Sequence, residues 1–267
     1  MFFLSSFTHL ILITTASSST TKTKSVKSPT QTQASNSKST LTRDGTTFVS
    51  MLIMVCLTIG FIRRFLLMIC IECIRLIVIS RLEEVGLSTL RLPLGSEPND
   101  KHVPILVSSN LRTATRITLI LGSPDQDLGI WTYRSMAEQG INRGSMVEIA
   151  KEILTNKPDM ALIIANLGQL VYHCGSGQAM SQRTWFALPV ETAAHPPAGQ
   201  TWRNLIPRNG NWREHVKCIF EDVLAPESGM VNPEAKIDII GVEEGGLGAV
   251  EYLVENCKFI RTLHVSN

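Results

Sequence analysis

This chain of 267 residues has no disulfide framework, no basic stripe in its folded part, no internal repeat, and no serine where its sharpest turn would place a nucleophile. Its six cysteines (Cys56, Cys70, Cys73, Cys174, Cys218 and Cys257) are scattered, which excludes a small secreted scaffold and fits a reducing compartment. Cys70-Ile-Glu-Cys73 has the spacing of a metal knuckle, but no second Cys/His pair follows it. A zinc site needs four ligands, so these two read as buried thiols. The net charge of +2 conceals an uneven distribution. Residues 1–46 carry five Lys/Arg and one acid, residues 47–80 three Arg and one Glu, and residues from Arg81 onward 17 basic and 21 acidic side chains, a net of −4. Direct binding to a phosphate backbone is not expected of such a domain.

The N-terminal part divides by composition. Met1–Ala16 is apolar like a signal h-region but lacks a basic n-region. Ser17–Thr46 is a Ser/Thr/Lys tract with too little apolar surface to fold, and it reads as a disordered linker that closes region 1–46. Region 47–80 is apolar, with Arg63-Arg64 interrupting it. A spanning helix needs about 20 apolar residues, so Phe48–Met68 would cross a membrane if the arginines snorkel to the interface. That reading makes the protein membrane-tethered, with its C-terminal domain in the cytoplasm or nucleoplasm. The rival reading is a helix buried in the domain core.

The compact domain is read as residues 81–267. Short apolar runs at 103–107, 116–121, 160–165 and 236–241 alternate with helical patterns, one of them Trp212–Leu224 with Val216, Ile219, Phe220 and Val223 on one face. Ser145 followed by Glu148 suggests a capping box, and Phe259–Val265 a last strand. This alternation predicts an α/β fold: a three-layer, α/β-hydrolase-like, mostly parallel sheet. It is truncated at the C-terminus, which would leave the final sheet edge bare.

The stretch Lys236–Leu253 organises the functional reading. A strand run ends at Gly241-Val-Glu243-Glu244-Gly245-Gly246, and helical spacing follows. Strand, sharp turn and helix are the layout of the G-x-S-x-G nucleophile elbow, but Glu243 occupies the serine position. Among the 24 residues after Glu243 (244 to 267) the one histidine is His264, which leaves no room for the usual acid and base. No catalytic residue is therefore expected. Glu243 and Glu244 read as a solvated tip that favours the positive end of the following helix.

Other polar groups carry weaker alternatives. The loop Gly122–Gly129, with Asp125, Asp127 and Gly129, stands where such folds supply an oxyanion amide. Its two aspartates could bind a cation but read more simply as turn formers. Gly175-Ser176-Gly177 resembles a nucleophile loop and reads as a flexible turn. His173, His195 and His215 share no ligand spacing and read as loop or helix-surface residues, with no metal or cofactor expected. Trp185, Trp202 and Trp212 read as core anchors, the alternative being an exposed binding surface.

Arg81-Leu-Glu-Glu-Val-Gly-Leu, Leu92-Pro-Leu-Gly95, His102-Val-Pro-Ile-Leu-Val, Gln126-Asp-Leu-Gly-Ile-Trp-Thr-Tyr-Arg134, Gly140-Ile-Asn-Arg-Gly-Ser145 and Ile239-Ile-Gly-Val-Glu-Glu-Gly together resemble the argonaute-binding Arb2 domain in its fungal form. The resemblance implies an α/β-hydrolase-like fold used for binding. It also implies protein partners, in an argonaute or chromatin-silencing complex of small-RNA-directed heterochromatin, and a nuclear or cytoplasmic location. Relatives of this kind are also fused to class II histone deacetylases. The rival to this non-catalytic reading is an esterase-like serine or cysteine hydrolase.

Overall fold

A computed structural model of the chain describes residues 7–13, 62–188 and 199–256. Expectations for 17–46, for 48–61, for His195 and for a strand at 259–265 fall outside these residues. The first half of the described chain contains β1 (Phe7–Ile13), α1 (Ile62–Glu84), β2 (Leu87–Leu92), β3 (Val103–Ser108), β4 (Arg116–Leu121), α2 (Tyr133–Gln139), α3 (Ile141–Gly144) and α4 (Val147–Asn156). Next come β5 (Met160–Ile164), a hairpin of β6 (Val171–His173) and β7 (Gln178–Met180), and α5 (Gln182–Phe186). The last elements are α6 (Trp212–Cys218), which runs on into a π turn, β8 (Lys236–Val242) and α7 (Glu244–Asn256).

The main sheet has the order β1-β8-β4-β5-β3-β2. Strands β1, β8, β4 and β5 run parallel, and β3 is antiparallel to both its neighbours. The sheet is therefore mostly parallel. The edge of β8 is not bare as expected, because the signal-like stretch Phe7–Ile13 pairs along it. Side chains alternate across the pleat. Ile117, Leu119 and Leu121 of β4 face one core together with Val216, Ile219, Phe220 and Val223. Ile120 faces the other core, shared with Ile74, Val78 and Leu82 of α1 and with Val147, Ala150 and Ile153 of α4. Helices thus cover both faces.

Helix α1 resolves part of the apolar block. Cys70, Ile74, Val78 and Leu82 recur at i, i+4 spacing and are all buried, each large one worth roughly 1.5–3 kcal/mol on burial. The core therefore extends upstream of Arg81. Among the described residues no helix is long and apolar enough to cross a membrane, and the Cys70–Leu82 stripe of α1 packs into the domain core. Cys70 and Cys73 are not both buried, since Cys73 lies off the i, i+4 stripe and is exposed. The capping box is also absent: Ser145 is drawn into a bridge with Ile130, and Met146 caps α4 without a side-chain bond.

Candidate functional site

The turn from β8 into α7 is shaped by close backbone contacts. Glu243 has φ 52°, in the left-handed region that side chains with a Cβ rarely adopt. Helix α7 starts at once, with Leu247 N–H donating to the Glu243 carbonyl at 3.1 Å. A Cβ on Gly241 would lie 2.3 Å from Gly246 Cα, and one on Gly245 would lie 2.5 Å from Gly122 O and 2.6 Å from Leu121 O. The first turn of α7 is thus pressed onto the C-terminal end of β4, and only glycines permit this. Glu243 and Glu244 are both exposed, and Glu244 opens the first helical turn, where a carboxylate meets the positive end of the helix dipole.

The loop after β4 reaches this tip. Buried Ser123 donates its hydroxyl to Glu243 Oε2 at 2.5 Å and accepts from Asp125 N–H at 3.2 Å. Asp125 is exposed and Asp127 buried. Tyr133 donates its hydroxyl to Asp127 Oδ2 at 2.5 Å, and Asp127 Oδ1 has no hydrogen-bond partner among the described residues. Burial first, then the neighbouring Asp127, pushes the Tyr133 phenol far above its ordinary range. Gly129, at φ 77°, lets the loop pass α1, for a Cβ there would lie 2.6 Å from Leu82 Cδ1.

A second loop, after β5, closes the space above the sheet. Asn166 Nδ2 donates to Gln169 Oε1 at 2.9 Å, and Gln169 N–H donates to Asn166 Oδ1 at 3.1 Å. A Cβ on Gly168 would lie 1.8 Å from Gln126 O. The crevice among Gly122, Ser123, Asp127 and Asn166 holds no space for a water-sized molecule. Sequence reasoning overlooked Ser123 as the partner of Glu243, and it overlooked Gly168. The available signal was Asn166-Leu-Gly-Gln169 directly after a strand run.

The histidines are not gathered at the turn. His215 is not on a helix surface but fully buried. Its Nε2 accepts from Asn166 N–H at 3.3 Å, and its Nδ1 lies 2.6 Å from Asn209 Oδ1. Burial holds its pKa down to about 3, so the ring is neutral, with the proton on Nδ1. His173 Nδ1 lies 2.9 Å from Ser176 Oγ and also accepts Ser176 N–H at 3.2 Å. This pair borders a cavity of about 390 Å³ between α1, Asp127 and the β6–β7 hairpin, walled largely by Met68, Ile69, Met180 and Leu188. Of the tryptophans, Trp185 is buried and Trp212 packs against the core, but Trp202 is exposed, contrary to a uniform core role. No group of three or more His, Cys, Asp or Glu that could hold a metal forms among the described residues.

Fold and site together define an α/β domain with a strand–turn–helix elbow whose tip is a carboxylate tied to the neighbouring loop. Compared with protein-family models, residues 66–262 match the Arb2 domain, and the chain belongs to that family. The match begins inside α1, in keeping with the burial of Cys70, Ile74, Val78 and Leu82. No curated protein and no solved structure matches the chain.

Proposed function

We propose that this is a non-catalytic, α/β-hydrolase-like interaction domain acting in argonaute-dependent, small-RNA-directed heterochromatin silencing. The observation that carries the reading is the Ser123–Glu243 bond. The position of an elbow nucleophile holds a carboxylate, and the adjoining loop, which would supply an oxyanion donor, spends its hydroxyl on that carboxylate. His215 is committed elsewhere through both ring nitrogens. Family membership supports the silencing context and a nuclear site of action. Recovery of an argonaute protein with the tagged full chain, from cells that express both, is the expected result. Its absence under conditions that preserve the complex would overturn the assigned partner.

An esterase-like reading is favoured by one observation, the 2.9 Å approach of Ser176 to His173 beside the cavity. The Ser176 N–H shares the same ring nitrogen, so the pair also closes its own turn. A fluorophosphonate probe should leave the full chain unlabelled. Stoichiometric labelling that disappears in Ser176→Ala would establish the hydrolase and displace the non-catalytic reading.

A further inference from the structure

Trp202 is 74% exposed, although an indole has much apolar area to gain from burial. The turn that carries it is rigidly built. Thr201 Oγ1 accepts from Arg203 N–H at 3.3 Å, and Asn204 Oδ1 accepts from Thr201 N–H at 2.9 Å, which closes a capping box around Trp202–Asn204. Asn204 Nδ2 then donates to the Tyr172 carbonyl at 2.9 Å, and Leu205 bridges to Val171 on the hairpin. The indole is therefore presented on fixed backbone, and a partner would pay little ordering entropy to meet it.

Two cations attend the ring. Lys101 Nζ lies 5.7 Å and Arg203 Cζ 5.5 Å from its centroid, within cation–π range. The chain from Arg81 onward is net −4, whereas Lys101 and Arg203 bring two positive charges to this ring. Leu205, 55% exposed, adds apolar surface on the same turn. Exposed Trp and Arg on a preorganised support are the residue types that dominate protein–protein contacts.

We propose that Lys101, Trp202, Arg203 and Leu205 form a docking surface for an acidic peptide segment of a partner protein. Carboxylates of the segment would sit against Lys101 and Arg203, and an apolar side chain would pack on Trp202 and Leu205. A single nucleic-acid strand is the poorer occupant, because it needs a track of cations along several nucleotides, which an acidic domain does not offer. The proposal rests on the interaction reading but uses residues outside the elbow, so it succeeds or fails independently of argonaute recovery.

The test is a titration of the full chain labelled at its tryptophan indole nitrogens. The probe is a synthetic peptide rich in Asp and Glu and carrying two leucines. Trp202→Phe assigns the Trp202 indole signal among the four tryptophans. That signal should shift saturably while those of Trp185 and Trp212 stay in place. Affinity should fall about tenfold or more in the charge-reversed K101E/R203E double variant, and it should weaken as salt rises. A Trp202 signal that does not move, or a shift that survives charge reversal, would overturn the proposal. So would a uridine oligonucleotide that shifts the signal at lower concentration than the peptide.

Discussion

The hydroxyl of Ser123 donates to Oε2 of Glu243 across 2.5 Å, joining the loop after β4 to the tip of the turn after β8 although the two residues lie 120 positions apart in the chain. A hydrogen bond to a carboxylate at a partly solvated site contributes on the order of 1 kcal/mol. Ser123→Ala and Glu243→Gln should each lower stability by about 0.5–1.5 kcal/mol in urea unfolding. The double variant should lose less than the sum, since Ser123→Ala removes the donor of the bond that Glu243→Gln weakens by taking away its charge. Strictly additive losses would show that the bond does not form in solution.

Replacing Glu243 also separates conformation from chemistry. Glu243→Gly should lose less stability than Glu243→Ala, because glycine tolerates φ 52° without the cost of roughly 1–2 kcal/mol that a Cβ brings. Glu243→Ser should gain no ester turnover, as His215 is buried and bonded to Asn166 and Asn209. Measurable hydrolysis of a nitrophenyl ester by the serine variant, absent from the parent, would reveal a base that the present reading lacks.

Two glycines should be indispensable for steric reasons. Gly245→Val brings a side chain against the carbonyls of Leu121 and Gly122, and Gly168→Ala brings a methyl against the Gln126 carbonyl. Each should cost roughly 3 kcal/mol or more, since backbone atoms of the sheet and its loops must move. Gly199→Ala meets nothing within 4 Å and should stay within about 0.5 kcal/mol of the parent. Thermal unfolding of the three variants side by side checks the order.

His215 should make the fold sensitive to mild acid. Its folded pKa, about 3, lies below the ordinary value of 6.5, so below pH 6.5 the unfolded state binds a proton that the folded state refuses. Its contribution is fully present above pH 6.5 and is lost progressively as the pH falls toward 3. The slope approaches about 1.4 kcal/mol per pH unit in the middle of that window. Urea midpoints between pH 7.5 and 5 should fall accordingly. The fall should be shallower in His215→Gln, which removes the titrating ring; an unchanged slope would assign the acid sensitivity to other groups.

Helix α1 should behave as core on one face and as surface on the other. Ile74→Ala, at a buried position, should cost about 2–4 kcal/mol, whereas Leu76→Ala, at a side chain 57% exposed, should cost under about 0.5 kcal/mol. A chain begun at Arg81 should not unfold cooperatively, because it lacks Ile74 and Val78 from the cluster beneath the sheet.

Local pattern alone was enough to read the strands at 103–107, 116–121, 160–165 and 236–241, the buried face of Val216, Ile219, Phe220 and Val223, and the glycine-dense turn after β8. These follow from apolar periodicity and from the need for glycine where backbones touch, both of which are written in consecutive residues. The Arb2 resemblance likewise rested on contiguous motifs. Tertiary structure decided the rest. The i, i+4 stripe of α1 fits either a membrane or a core, and only the sheet beneath it settles which face is covered. Cys73 is exposed and His215 buried because burial depends on what packs alongside, not on residue type. Ser123 meets Glu243, and Gly168 meets Gln126, only because β4 lies between β5 and β8 in the sheet. Such contacts between distant segments leave no periodic trace in a single sequence.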